Sequence, residues 1–301
     1  MANIAKIFVI IVTYKGHQWY ERCFTSLRNS EYPLQTIVID NASNDGTVEY
    51  IREHFPEIHL IESKENLGFG RANNIGMRYA LDHGCDYVFL LNQDAWVETN
   101  TLGELVRIHQ TYPNYGLLSP MHINAEKDHL NILLDDSKLN YELLSDLYFK
   151  TPKEVYPITY ANAAAWLLPR KTLETIGGFC PMFFYCGEDD DYMNRLKFHK
   201  IQMGICPSLT IVHDSKYRLN ESARLASKAA REGLYEILNI NIKSEPINLF
   251  CYYLRKWILN LLRGDNNARK YCTEKIKFIG SNLRNLKDIR SKHRTRSTHW
   301  L

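Results

Sequence analysis

The sequence predicts an open, mainly parallel α/β sheet flanked by helices, with a helical extension at its C-terminal end. Two observations predict it. Apolar, β-branched runs alternate with segments of helical period through residues 6–110, as a parallel sheet with crossover helices requires. After Asn220 the pattern turns almost wholly helical.

The elements follow in order. "KIFVIIVTY" is continuously apolar, the mark of a strand buried on both faces. "HQWYERCFTSLRNS" carries Trp19, Cys23 and Leu27 at helical spacing. "QTIVIDNAS" is a second strand, and "NDGTVEYIREHF" a helix with Val48, Ile51 and Phe55 on one face. "IHLIES" is a third strand, followed by the loop "KENLG" and a helix through "RANNIGMRYALDHG". "DYVFLLNQD" is a fourth strand, with a helix in "ETNTLGELVRIHQ". From Tyr115 to Pro157 no firm period emerges, so variable loops or a small lobe are expected there. "ITYANAAAWLLPR" reads as a strand, "KTLETIGG" as a short helix ended by glycine, "EDDDYMNRLKFHK" as a helix and "MGICPSLTIVHD" as a strand or strand pair. "SARLASKAAREGLYEILNI", "LFCYYLRKWILNLLRG" and "ARKYCTEKIKFIGSNLRNLKDI" read as helices of the extension.

Composition narrows the class. A hydrophobic content of 45% with 24% charged residues is that of a soluble globular chain rather than a disordered one. Seven cysteines without close pairs read as reduced thiols in a cytoplasmic protein. The apolar N-terminal run is too short to span a bilayer, and no small-residue cleavage site follows it. The net charge of +3 is unevenly spread. Residues 241–301 hold 14 Lys and Arg against 4 Asp and Glu, a net of +10, which leaves −7 for the rest. The basic residues alternate with apolar faces, as in "YYLRKWILNLL". That suits an anionic membrane surface better than nucleic acid, which is not expected as a partner.

Chemistry concentrates where strands end. Asp40 and Asp94 both close apolar strands, and open α/β sheets bind ligands beyond their carboxyl ends. "VIDNASNDGT" is equally an Asx turn with a helix cap. "NLGFGRANNIG" is neither a Walker loop nor a full G-x-G-x-x-G, since Asn73 replaces the third glycine. A glycine-rich turn opening a helix can still offer N–H groups to a diphosphate. Asn92-Gln93-Asp94 places a carboxylate where a hard divalent cation could sit. His213 ends the last apolar strand. Glu188 to Asp191 set four acids in a row after an aromatic run, which is either a solvated helix start or an active site.

The ordered set "IIVTY", "VIDNASNDGT", "NLGFGRANNIG", "LLNQDAWV", "NAAAWLLPRKTLETIGGFCPMFFYCGEDDDYMNRLK" and "IVHDS" resembles the family-2 inverting glycosyltransferases, in particular the rhamnosyltransferase-like branch of bacterial surface-polysaccharide enzymes. The resemblance covers roughly residues 6 to 215. It implies a GT-A fold over 1–220, with a nucleotide-sugar half (1–115), an acceptor half (116–220) and a basic amphipathic extension (221–301). It implies that Thr13, Tyr14, Asp40, Asn41, Arg71 and Asn92 bind the nucleotide part of a UDP- or dTDP-sugar. Asp94 and His213 would hold Mg²⁺ or Mn²⁺. Asp189 would be the base, and Trp166, Glu188 and Asp190 would meet a glycan or lipid-linked acceptor. The aromatic run would form an acceptor floor, and Asp191 and Arg195, at i and i+4, would pair on the outer side of the helix. Lys15 departs from the family's usual Asn, and Cys180-Pro181 from its usual Asp-Glu. A nucleotidyltransferase lacks its glycine-rich triphosphate loop here, and a non-catalytic sugar-nucleotide binder leaves the Asp94, Asp189 and His213 set without a use. A membrane-facing helix side is expected from Phe250, Tyr253, Trp257, Ile258, Leu261 and Leu262, of which Phe250, Tyr253, Trp257 and Leu261 share one face, and a peripheral position on the inner membrane face follows from it. Packing of that side on the catalytic domain or on a second copy of the chain stays open.

Overall fold

The computed structural model describes residues 4–131, 141–184, 186–214 and 234–301. The readings at 132–140, and most of the helix expected before Tyr235, lie outside the described residues. In chain order the elements are β1 (Ile7–Thr13), α1 (His17–Arg28), β2 (Leu34–Asp40), α2 (Thr47–His54), β3 (His59–Glu62), α3 (Phe69–Asp82) and β4 (Tyr87–Leu91). Then come β5 (Ala95–Val97), α4 (Thr101–Thr111), β6 (Tyr115–Ile123), α5 (Tyr141–Tyr148), β7 (Tyr156–Ile158), β8 (Ala165–Pro169), α6 (Arg170–Ile176), α7 (Glu188–Phe198) and β9 (Gln202–His213). Two long C-terminal helices follow, α8 (Pro246–Leu262) and α9 (Asn266–Arg294).

One sheet runs in the order β3-β2-β1-β4-β8-β6-β9-β5, with β7 also on β9. Its first four strands are parallel, and β8 enters antiparallel between β4 and β6. Alternating side chains of β1 feed two cores. Ile7, Val9 and Ile11 join one layer, and Phe8 and Ile10 the other. The in-register pairing Thr13↔Asp40 brings the ends of β1 and β2 to the same edge.

The stretch expected to be loops contains a central strand. β6 is nine residues long and nearly all buried, and Gly116 and Pro120 within it obscure its apolar run. β9 is one twelve-residue strand with a register shift where Pro120 passes to Met121. The short β5 and β7 each have three residues, too few to show a period.

The C-terminal helices share a core with the segment before α7. Ile237, Leu238, Tyr253, Cys272, Ile279, Leu286 and Ile289 pack with Cys180 and Phe183 of the aromatic loop. This covers part of the side of α8 that could have faced a membrane, the outcome in which that side packs on the rest of the chain. Tyr253 is buried, and Phe250 and Trp257 pack against the same core. Ile258, Leu261 and Leu262, also expected to face a membrane, stay exposed, and Ile247 and Leu254 lie exposed with them. The heptad-like rows on the two sides are both apolar, so sequence alone gives no reason to choose between them.

His293 near the end of α9 is pushed down to about 4 from its ordinary 6.5, chiefly by burial, with Asp191 pulling the other way and Arg195 and Arg290 adding to the depression. Between these values the unfolded chain binds a proton that the folded chain refuses. Stability is therefore full above pH 6.5 and falls as pH drops toward about 4. Thermal melting from neutral to acid pH should show this loss, with a limit of ~3 kcal/mol. His293→Gln should flatten that part of the profile; an unchanged slope would assign it to other groups.

Candidate active site

The candidate site lies along the edge where β1, β2 and β4 end. Thr13 Oγ1 donates to Asp40 Oδ1 at 3.0 Å, and Ser43 N donates to Asp40 Oδ2 at 3.0 Å. Ser43 Oγ adds a short third bond. Asp40 is thus buried at the hub of the turn after β2. Asn41 carries the turn to the glycine-rich loop. Its Oδ1 accepts from Leu67 N at 2.8 Å, and its Nδ2 donates to Gly68 O at 3.3 Å.

The glycines of that loop answer to a close approach. A Cβ on Gly68, where φ is +77°, would sit 2.2 Å from Phe184 O, and one on Gly70 would sit 2.9 Å from Phe179 Cβ. Arg71 donates twice to Pro181 O, from Nε at 3.1 Å and Nη2 at 2.8 Å. Asn74 and Phe179 exchange two bonds: Nδ2 to the carbonyl at 2.8 Å and Phe179 N to Oδ1 at 2.7 Å. The glycine-rich loop and the aromatic loop are therefore one clamped unit. Sequence reasoning missed Asn74, because its partner lies more than a hundred residues away in the chain.

At the end of β4, the three residues of the Asn-Gln-Asp motif divide the work. Gln93 exchanges bonds with the backbone of Tyr14, at 2.8 and 3.1 Å, and leaves no room for a side chain at Gly16. Asn92 Oδ1 is buried without a hydrogen-bond partner. Asp94 Oδ1 lies 3.4 Å from His213 Nε2, brought there by the antiparallel pair Ala95↔His213 of β5 and β9. Behind His213 stands the fully buried His122, edge to face at 5.9 Å. Burial, and then the neighbouring His213, hold the His122 imidazole well below its usual range, so it is neutral. Asp214 accepts from Trp19 Nε1 at 3.2 Å, which ties α1 to the same corner. The motif "IVHDS" places Asp214 beside His213, but nothing in the sequence points to Trp19 as its partner.

An oxygen and a nitrogen ligand this close suit a divalent cation. Metal–ligand distances of about 2.1 Å put adjacent ligands roughly 3 Å apart. The unsatisfied Asn92 Oδ1 on the same strand end is a further oxygen donor. Elsewhere among the described residues, Cys180, Asp191 and His293 cluster in the interior. There Asp191 is already paired with Arg195 at 3.0 Å, which opposes a cation.

Asp189 stands in the first turn of α7. Its Oδ2 accepts from Tyr160 OH at 3.2 Å, and its Oδ1 from Asp190 N at 2.9 Å. It is half-buried, as is Asp190, while Glu188 is buried. Four acids in one turn are tolerated because the helix N-terminus favours negative charge and Arg195 neutralises Asp191. That ion pair is not on the outer side of the helix as expected: Asp191 and Arg195 are both buried. Trp166 also needs correction. It is wholly buried, between Phe179 and Tyr192, and supports the site from within the core instead of meeting an acceptor. The acceptor floor shrinks likewise, since Phe179 and Phe183 are buried and Phe184 is exposed. Tyr14 is the exposed aromatic across the edge.

A cavity of about 510 Å³ opens near the start of β2, among Leu34, Glu57 and Tyr79. It is at the opposite end of the strands and holds none of these groups.

Two solved structures define the class by fold. A mannosyltransferase from Pyrobaculum calidifontis, in complex with GDP-Man and Mn²⁺, is 18% identical, with a TM-score of 0.58 over 97% of this chain and 86% of that one. S. aureus TarS in complex with UDP is 12% identical, with a TM-score of 0.53 over 93% and 91%. Both share the GT-A glycosyltransferase fold seen here. Residues 8–177 match the family model described as Glycosyl transferase family 2, and the chain belongs to that family.

Among curated relatives, a low-salt glycan biosynthesis hexosyltransferase of Haloferax volcanii is 26% identical over 68% of this chain and 66% of its own length. A dTDP-rhamnosyl transferase of Shigella flexneri is 21% identical over 69% of each. An N-acetylglucosaminyl-diphospho-decaprenol L-rhamnosyltransferase of Mycobacterium tuberculosis is 23% identical over 68% of this chain and 75% of that one. The chain thus spans about two thirds to three quarters of these relatives.

If Asp94 and His213 share a cation, calorimetry should show Mn²⁺-dependent binding of UDP or dTDP. Asp94→Asn should weaken it by about 10-fold or more, and His213→Ala by less, as loss of one neutral ligand implies. Unchanged Mn²⁺-dependent affinity in both variants would place the metal elsewhere.

Proposed function

We propose that this chain moves a hexosyl group, with rhamnosyl as one member of that class, from a UDP- or dTDP-sugar to a hydroxyl of a glycan or lipid-linked glycan, with inversion, in surface polysaccharide synthesis. The observation that carries the reading is the Asp94–His213 pair at 3.4 Å on a strand edge of this fold. Residues 1–220 carry the chemistry and 221–301 brace and dock it. Thr13, Tyr14, Asp40 and Asn41 form the nucleotide side, with Asn92 toward the ribose and Arg71 near the diphosphate. Asp94, His213 and Mg²⁺ or Mn²⁺ form the metal side. When bound, that cation supplies Lewis-acid stabilisation of the departing nucleoside diphosphate.

The chain's own groups supply the rest. Asp189 takes the proton of the attacking hydroxyl at Oδ2, the oxygen that Tyr160 orients. Asp190 N keeps Oδ1 turned back toward the helix. Glu188 and Asp190 border the acceptor, with the exposed Phe184 as its apolar contact. A single displacement needs no covalent sugar–enzyme intermediate. Asp189→Asn should keep nucleotide binding and lose about 10²–10⁴-fold in transfer. Near-normal turnover in that variant would remove Asp189 as the base.

The extension would hold the enzyme at an anionic membrane, where a lipid-linked acceptor lies. The exposed stripe Ile247, Leu254, Ile258, Leu261 and Leu262 on α8 is flanked by Arg255, Lys256 and Arg263. No helix among the described residues is long and apolar enough to cross a membrane. Each basic residue near an anionic surface contributes about 1 kcal/mol. The full chain should co-sediment with phosphatidylglycerol vesicles and dissociate as salt rises, and Leu254→Ser with Ile258→Ser should weaken it. Binding indifferent to lipid charge, salt and these substitutions would overturn the docking role.

A further inference from the structure

Residues 295–301 fold back onto the catalytic half. Ser297 N donates to Thr175 O at 3.1 Å, and Gly178 N donates to His299 O at 2.8 Å. Gly177 has φ +76°, and a Cβ there would lie 2.3 Å from His299 O. Only glycine satisfies both that backbone and that approach. The Trp300 ring lies 5.2 Å from Arg195 Cζ and meets His293 edge to face at 5.3 Å. His199 Nε2 donates to His293 O at 2.8 Å, so α9 is fastened to the end of α7 as well. Leu301 packs against the core layer under α3 and α6.

These contacts meet where the site is assembled. Arg195, 1% exposed, donates to Ile176 O at 2.7 Å, Gly178 O at 2.8 Å and Asp191 Oδ2 at 3.0 Å. Asp191 shares the first turn of α7 with Asp189. The neighbouring Phe179 is clamped by Asn74 to the donor-side helix α3. Trp300 is the outer cover of this guanidinium. Without the ring, water reaches Arg195, and a solvated guanidinium holds its partners more weakly.

We propose that Trp300 is a positioning residue: by capping Arg195 it fixes the first turn of α7, and through it Asp189, against the donor-side loop. The proposal rests on Asp189 being the base. The bland alternative is that the tail only adds stability. The two differ in where a loss appears. A positioning residue changes turnover and the order of one segment, whereas a stability element loosens the whole core together.

The test uses the full chain with Trp300→Ala and Trp300→Phe. Hydrogen exchange is followed well below the melting temperature, and nucleotide release is followed from UDP-glucose, UDP-N-acetylglucosamine and dTDP-rhamnose with Mn²⁺. In Trp300→Ala, exchange in 186–198 should rise while β1 and β4 stay protected. The kcat should fall about 10-fold or more with KM within about 2-fold, since a small misplacement of a reacting group is enough for such a loss. Trp300→Phe should restore both. Wild-type exchange in 186–198, uniform loosening of all strands, or no rescue by Phe would each overturn the proposal. If none of the three donors turns over, the exchange pattern and its rescue decide alone. If Asp189→Asn keeps full turnover, the base assignment has failed. A Trp300→Ala loss confined to 186–198 would then still locate the tail's effect on α7.

Discussion

A buried guanidinium ties the start of α7 to the end of α6. Arg195 bonds an acid of its own helix and two carbonyls at the end of α6, and lies 4.8 Å from the Tyr192 ring and 5.2 Å from the Trp300 ring. Removing one partner of such a pair leaves an uncompensated buried charge, at a cost of about 3–5 kcal/mol. Here that cost would fall on one place. The turn, the acidic helix start and the C-terminal tail all lose their common anchor. The acidic run is therefore not simply the solvated helix start that was one of the two readings open from the sequence. One of its carboxylates is structural and buried, and another faces the site half-buried.

The donor side has its own constraint, an amide clamp at each end of the glycine-rich loop. Asn41 holds the loop to the turn after β2, and Asn74 holds the following helix to Phe179. Neither asparagine need touch a ligand to matter. Together they tie a parallel half, which ends in Thr13, Asp40 and Asn92, to a mixed half that ends in His213 and carries Asp189. A nucleotide sugar bound across that seam would have its diphosphate at the metal pair and its sugar before α7.

Much of this was legible in the sequence, and the limits are physical. Strands buried on both faces declare themselves by unbroken apolar runs, so β1, β2 and β4 were readable. β6 was not, because Gly116 and Pro120 interrupt it and its burial comes from strands distant in sequence. The motif residues Asp94, His213 and Asp189 were readable as strand-end and helix-start acids and a strand-end histidine. The roles of Tyr160, Asn74 and His122 were not, since each depends on a partner supplied by the fold. Trp166 shows the opposite error: the family resemblance implied an acceptor contact for an aromatic residue that the fold buries completely. The face of α8 stayed undecided for a third reason. Both of its sides are apolar, and only the position of α9 decides which one is covered.

The proposed reaction needs a nucleotide sugar and a divalent cation bound on the Asp94–His213 edge, with Asp189 on the acceptor side. Anomalous diffraction at the manganese edge, from crystals grown with Mn²⁺ and UDP, tests it most directly. One strong peak is expected between the Asp94 carboxylate and the His213 imidazole, in contact with the diphosphate, with Asp189 across the site and clear of the metal. A peak on Cys180, Asp191 and His293, or a diphosphate bound away from the ends of β1, β2 and β4, would contradict it.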